Sequence, residues 1–222
     1  MTPYLHNINP TRHSGSSKEF NMEPSFQPVY SVSASRSIVA MDMCDLQPLR
    51  SDWPCATSLS PESDWTDHKR RLRAIDKAVS AGLDAPLLLR IKACSVWKPS
   101  VGIKAILAYA EPLGYSRRII FELTNWPTGY KLDMLTKSIE EMDNHVRWAL
   151  TCFDIDQPSK SLMLPFYPDI VILDLNLLST LSASVEGFLF MQSFVQLLAS
   201  RDVTVSQRPR HEGDWDLMPG WH

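Results

Sequence analysis

Acidic and cationic side chains stand at the carboxyl ends of several apolar segments of this 222-residue chain. Asp42 closes the run SIVAMD, Lys92 closes LLLRIK and Glu122 closes RRIIFE. Two carboxylates that converge from different strands can hold a divalent metal for hydrolysis, provided that further oxygen ligands join them. A cation beside them would instead neutralise the acids. These three strand ends therefore define the first candidate site.

The elements that must position these residues alternate between strand and helix. Apolar runs bounded by turn residues predict strands over 25–30, 37–44, 87–93, 118–123, 146–153, 169–175 and 203–205. Helical spacing of apolar residues predicts helices over 65–81, 100–109, 131–145 and 186–200. After an initial hairpin, this order favours a parallel sheet or a (β/α) barrel, in which chemistry lies at the carboxyl ends of the strands.

Composition narrows the functional classes. A chain with 44% hydrophobic and 21% charged residues can bury one substantial core. The net charge of −3, without a long run of one sign, argues against a nucleic-acid surface. The four cysteines lack the paired spacing of a structural zinc site, and we expect neither metal nor cofactor. Without a leader-like segment or a membrane-length apolar run, we expect a cytoplasmic protein with no membrane contact.

The distribution of polar residues predicts three parts. Residues 1–20 are polar and interrupted by proline and glycine, which is typical of a flexible N-terminal arm. Residues 21–206 carry the alternating elements and form the predicted barrel domain. Residues 207–222 depart from that pattern and form a divergent C-terminal tail.

The succession of segments resembles the EAL domain, the bacterial cyclic-di-GMP phosphodiesterase fold, over roughly residues 20–205. FQPVYSVSASRSIVAMDM resembles the opening of the family, where a QP-containing strand precedes one that ends in Glu-Ala-Leu. LLLRIKACS falls where the family has an Asn-bearing strand, and IIFELTNW falls where it has the Glu-Leu/Ile-Thr-Glu motif. VRWALTCFDI occupies the place of the family's Asp-Asp-Phe-Gly motif, and PDIVILDLNLL that of a Lys-bearing strand that ends in Asp. The resemblance implies a modified TIM-type barrel, and it leaves open whether the barrel is complete at its C-terminal end.

When each site residue of the family is compared with the matching position of this sequence, the resemblance implies a degenerate metal pocket. Asp42 stands at the signature glutamate, and Lys92 stands where the family has a metal-binding asparagine. Glu122 is the first glutamate of its motif, and Asn125 replaces the second. Our hypothesis is that the Lys92 ammonium lies between Asp42 and Glu122 in place of metal. The alternative is that Lys92 extends to the rim of the barrel.

The remaining positions of the pocket follow the same comparison. Thr151 and Cys152 replace an aspartate pair that would hold metal, and Ile172 replaces a lysine that would position water. Asp174 is kept. Gln27 matches the glutamine of the family, so that Gln27, Lys92 and Glu122 are the candidates for contact with a nucleotide.

Two functional classes follow from this reading. The first is a catalytically inactive regulator that binds a protein partner, such as a transcription regulator of motility, adhesion or virulence. The second is a receptor that binds cyclic di-GMP without hydrolysing it. An active phosphodiesterase is the least favoured reading, because metal chemistry needs the oxygen ligands that are replaced here. Whether the protein is a monomer or a homodimer is left open.

Overall fold

The computed structural model describes residues 24–32, 37–44, 61–96, 98–124, 130–142, 146–152 and 168–208. Its strands are β1 Ser25–Ser31, β2 Ile38–Cys44, β3 Leu87–Lys92, β4 Ile119–Thr124, β5 Arg147–Cys152, β6 Ile170–Leu173 and β7 Thr204–Gln207. Its helices are α1 Pro61–Ser80, α2 Ile103–Ala110, α3 Tyr130–Glu140, α4 Leu175–Ser182 and α5 Val185–Ala199. Each strand predicted from the sequence is confirmed, with bounds that shift by at most two residues.

The strands of the described chain form a closed barrel in the order β1-β2-β3-β4-β5-β6-β7. Strands β2 to β7 are parallel, and β1 is antiparallel to both of its neighbours, β2 and β7. Closure occurs at Tyr30 and Ser31, which pair with Gln207 and Ser206. The barrel end that the sequence left open is therefore closed by the first strand, and β7 runs one residue beyond the predicted domain limit at 206.

Apolar side chains fill the lower part of the barrel interior. They are Val29, Ala40, Leu88, Ile120, Ala149, Ile170 and Ile172. Successive side chains of a strand point to opposite faces, so the residues two positions further along face the same interior, nearer the carboxyl ends. Within the strands those positions are Asp42, Arg90, Glu122 and Thr151. The alternation of side chains along the strands, which places apolar residues in the core, therefore also places charged groups at one end of the barrel.

Helix α1 begins at the candidate site. The sequence predicts a loop up to residue 64, whereas the helix starts at Pro61, a residue that suits a first helical turn. It ends as predicted at Gly82, which has φ +63° and donates from its N–H to the carbonyl of Val79. The N–H of Leu83 reaches back to the carbonyl of Ala78, so both bonds of a Schellman motif are present.

Helices α4 and α5 cover β6 and β7. Helix α4 is not among the predicted helices, because its sequence LNLLSTLS follows the apolar strand IVIL after a single residue, Asp174, and the predicted strand already includes Leu175. Ser184 caps α5 by accepting a hydrogen bond from the N–H of Gly187 at 3.0 Å. Among the described residues, none of the helices combines the length and the apolar character that a membrane crossing requires.

The close approach of α4 to α5 requires a glycine at position 187. A Cβ atom there would lie 2.2 Å from the carbonyl oxygen of Leu181, which is backbone and cannot rotate away. We expect Gly187→Ala to lower the free energy of unfolding by about 1–3 kcal/mol, measured by urea denaturation. The control is Ser193→Ala on the exposed side of α5, for which we expect a change within about 0.5 kcal/mol. Equal stability of both variants would contradict this account.

Candidate functional site

Two buried carboxylates share two arginines at the carboxyl ends of the strands. Asp42 in β2 and Glu122 in β4 are each only 1% exposed. Arg90 in β3 places Nη2 2.8 Å from Asp42 Oδ2 and Nε 3.2 Å from Glu122 Oε2. Arg208, the residue after β7, places Nε 2.8 Å from Asp42 Oδ2 and Nη2 2.5 Å from Glu122 Oε2. We call these four residues the buried ionic quartet.

The two acids of the quartet are not equally well satisfied. Glu122 Oε1 accepts a hydrogen bond from the Thr151 hydroxyl and lies 3.2 Å from Arg208 Nη1, so both of its oxygens have donors. Asp42 receives both guanidinium groups on Oδ2, whereas its Oδ1 is buried and has no hydrogen-bond partner among the described residues. Glu122 is thus the better-stabilised anion.

This difference in contacts separates the pKa values of the two acids. Burial raises the pKa of Asp42 above its ordinary value. The charges of Arg208 and Arg90 act to lower this pKa, and the negative charge of Glu122 acts to raise it further. Burial also acts to raise the pKa of Glu122, but the charges of Arg208 and Arg90 and the hydrogen bonds lower it to about 2. Glu122 is therefore ionised throughout the physiological range and is a weak base.

The hypothesis that the Lys92 ammonium lies between Asp42 and Glu122 is wrong. Lys92 Nζ lies 3.6 Å from Asp64 Oδ1 and 3.2 Å from Asp67 Oδ2, both in the first turns of α1. The reason is the early start of α1, which brings two acids beside the last residue of β3. Lys98 also contacts Asp64, so an ionic network separate from the quartet ties α1 to β3.

The other predicted site residues are only partly brought together. Thr151 joins the quartet through Glu122, and Gln27 is the cross-strand neighbour of Asp42 in the β1–β2 pair. Asp174 lies between β6 and α4, where its carbonyl accepts from the N–H of Leu178. Asn125 and the side chain of Cys152 lie outside the described part of the structure. Within that part, no group of three His, Cys, Asp or Glu residues is arranged to hold a metal ion.

Sequence reasoning missed the two arginines that matter most. Arg90 lies two residues before Lys92 in LLLRIK, so strand alternation puts both on the same face, and Arg90 is deeper in the barrel. A single charge inside an apolar run was the available signal. Arg208 lies two residues beyond the buried Ser206, in a segment assigned to the tail. No local signal reveals that this segment returns to the barrel interior.

The low pKa of Glu122 predicts a pH-dependent contribution to stability. Because the folded-state pKa of about 2 lies below the ordinary 4.5, the contribution is present above pH 4.5 and is lost as pH falls towards 2. The difference between these values corresponds to roughly 3 kcal/mol. We expect the stability gap between wild type and Glu122→Gln to shrink by this order of magnitude upon acidification, measured by urea unfolding at several pH values.

The control for this experiment is Glu140→Gln on the exposed surface of α3, which removes an acid without touching the quartet. Its stability gap to wild type should stay nearly constant over the same pH range. A Glu122→Gln gap that is independent of pH would show that the carboxylate is not stabilised by the arginines.

Comparison with solved structures identifies the fold of the chain. No sequence-family profile and no curated protein sequence matches the chain. A standalone versatile EAL protein from Vibrio cholerae O395, in its c-di-GMP-bound form, matches with TM-score 0.65 and 18% identity, covering 85% of this chain and 81% of the other. An EAL domain protein from Listeria monocytogenes EGD-e matches with TM-score 0.62 and 16% identity over 89% and 82% of the two chains. BlrP1 from Klebsiella pneumoniae, in a calcium and cy-diGMP complex, matches with TM-score 0.67 and 15% identity over 82% and 48%. The chain therefore has an EAL-like fold.

Proposed function

We propose that this protein is a catalytically inactive EAL-like regulator that acts by binding a protein partner. A transcription regulator that controls motility, adhesion or virulence is the partner class that the family resemblance suggests. The observation that carries the proposal is the buried ionic quartet, in which both acids already have arginine counter-ions. An acid that is neutralised by a fixed guanidinium is not available for metal-dependent hydrolysis.

The residues at this site do not fit a catalytic metal. Structures of Klebsiella pneumoniae BlrP1 with the same fold are complexes with calcium or manganese and cy-diGMP. Such ions take several oxygen ligands and are repelled by nearby positive charge. Here Asp42 Oδ2 and Glu122 Oε2 both face the guanidinium groups of Arg90 and Arg208, which stay charged at any relevant pH.

The outer surface of α5 supports binding to a macromolecule. Val185, Leu189, Phe190 and Leu197 are 47–70% exposed, although α5 already packs against β7 and α4 with its other side. Glu186 is the only ionisable residue between 185 and 199. These apolar side chains share the exposed side of α5 with Glu186, Gln192, Ser193 and Gln196, and large exposed apolar side chains mark interaction surfaces.

Absence of hydrolysis is the first expected result. Wild-type protein incubated with cyclic di-GMP and either magnesium or manganese should yield no linear dinucleotide above the protein-free rate, as followed by chromatography. An active EAL phosphodiesterase serves as the positive control in the same buffer. Turnover by the wild-type protein that scales with its concentration would overturn the proposal.

Partner capture should depend on the outer side of α5. We expect the double substitution Leu189→Ser and Phe190→Ser to weaken capture from host lysate by at least about tenfold, because interface anchors are large apolar residues. The control is Leu113→Ser, which changes an exposed leucine, 41% accessible, in the turn after α2. Capture of the same protein by wild type and by the α5 variant would contradict this assignment.

A cyclic-di-GMP receptor is the second candidate function, and the charge arrangement at the strand ends favours it. Arg90, Lys92 and Lys98 have side chains 26–35% exposed, whereas Asp42 and Glu122 beneath them are 1% exposed. The described strand ends thus present cations to solvent, which suits a dianionic ligand. Calorimetric titration of the protein with cyclic di-GMP tests this candidate, since binding to a receptor would release heat. We expect the Lys98→Met variant to bind cyclic di-GMP at least about tenfold more weakly than wild type. Titration without heat would exclude it.

A further inference from the structure

We infer that Arg90 and Arg208 together take the electrostatic place of one divalent cation, so that the carboxylate pair excludes metal only while both arginines are present. The inference rests on the proposed inactive site, but its test uses stability and ion binding and needs neither a partner nor a nucleotide. The property in question is that the two guanidinium groups balance the negative charge of the two buried acids, as a bound ion would.

The contact geometry places the acids around a shared centre of positive charge. Each arginine bridges both acids: Arg90 does so through Nη2 and Nε, and Arg208 through Nε and Nη2. Asp42 Oδ2 and Glu122 Oε2 therefore converge on the same two cations. Convergent carboxylate oxygens from different strands are also the ligands that magnesium, manganese and calcium take.

One further oxygen of this centre is unused. Asp42 Oδ1 is buried and, within the part of the chain that the structure describes, has no hydrogen-bond partner, which is an unfavourable state for a carboxylate oxygen. The arginine arrangement therefore satisfies the net charge of the acids but not all of their lone pairs. A small ion that accepts several oxygens could use Asp42 Oδ1 as well, once the guanidinium groups are gone.

The arginines also explain how the charges are held in place. Arg71 in α1, which is 6% exposed, donates from Nε to the carbonyl of Arg90 at 2.6 Å and thereby holds this part of β3. Arg208 follows β7, which closes the barrel against β1, so its contacts to Asp42 and Glu122 cross the barrel end. The backbone that carries each guanidinium group is thus held by packing or by barrel closure, so that both groups start close to the acids.

Removal of both guanidinium groups should convert the site into one that requires an ion. In the double variant R90M/R208M, two buried carboxylates would face each other with no counter-charge in the quartet, which is strongly unfavourable. A divalent cation supplies the same charge as the two arginines together, and ligand binding to the folded state raises its stability. Wild type has no such need.

The experiment measures thermal unfolding of wild type and R90M/R208M in chelator, in millimolar manganese chloride and in millimolar magnesium chloride. We expect the Tm of wild type to be the same in all three buffers. We expect the double variant to melt at lower temperature in chelator and to regain several degrees with manganese, with one ion bound per chain by calorimetry. The inference would be overturned if the Tm of the double variant did not change with manganese, or if manganese raised the Tm of wild type by the same amount.

The matched control removes the acids as well as the arginines. The quadruple variant D42N/R90M/E122Q/R208M has no charge in the quartet, and we expect it to fold in chelator and to be insensitive to manganese. If R90M/R208M is unfolded in chelator, the quadruple variant shows whether loss of charge balance is the cause. In that case folding of the double variant in manganese supports the inference, and failure to fold there overturns it.

This outcome is separable from the proposed function. A metal-insensitive double variant would refute the inference and leave partner binding untouched. Loss of a partner in the capture experiment would leave the metal dependence of R90M/R208M as it stands.

Discussion

Two carboxylates that are 1% exposed impose the main constraint on this molecule, since buried acids must be matched by positive charge or remain protonated. Arg90 and Arg208 meet that constraint and, in doing so, connect strands β2, β3, β4 and β7 at one end of the barrel. Buried ion pairs of this kind contribute little net stability over an apolar core, but removal of one partner is costly. The two arginines are therefore needed because the two acids are buried, and not because the barrel requires charge at this position.

The arrangement also accounts for the chemistry that the site can perform. A glutamate whose pKa is lowered to about 2 is a poor base, and two arginines in contact with both acids repel a divalent ion. What the fold still offers is a barrel end with exposed cations and an outer helix with exposed apolar residues. These features are suited to contact with another molecule, and together with the quartet they support the partner-binding proposal.

Much of the fold could be predicted because apolar alternation and helical spacing are local properties. Every strand was located, and the end of α1 at Gly82 followed from the need for a positive φ. Helix α4 was missed because only one residue, Asp174, separates the apolar strand from the apolar helix. Lys92 was assigned to the wrong ion pair because the start of α1, which supplies Asp64 and Asp67, was placed too late in the chain.

The sequence by itself determined which residues could carry charge at the strand ends, since period-two alternation puts Asp42, Arg90 and Glu122 on the inner faces of their strands. It also indicated, through family resemblance, an EAL-like barrel that the structural matches support. Only the tertiary structure decided which cations neutralise the acids. Arg208 is 86 residues from Glu122 along the chain, and barrel closure alone brings the two together. Long-range electrostatic pairing depends on distances in space, which no local pattern of residues encodes.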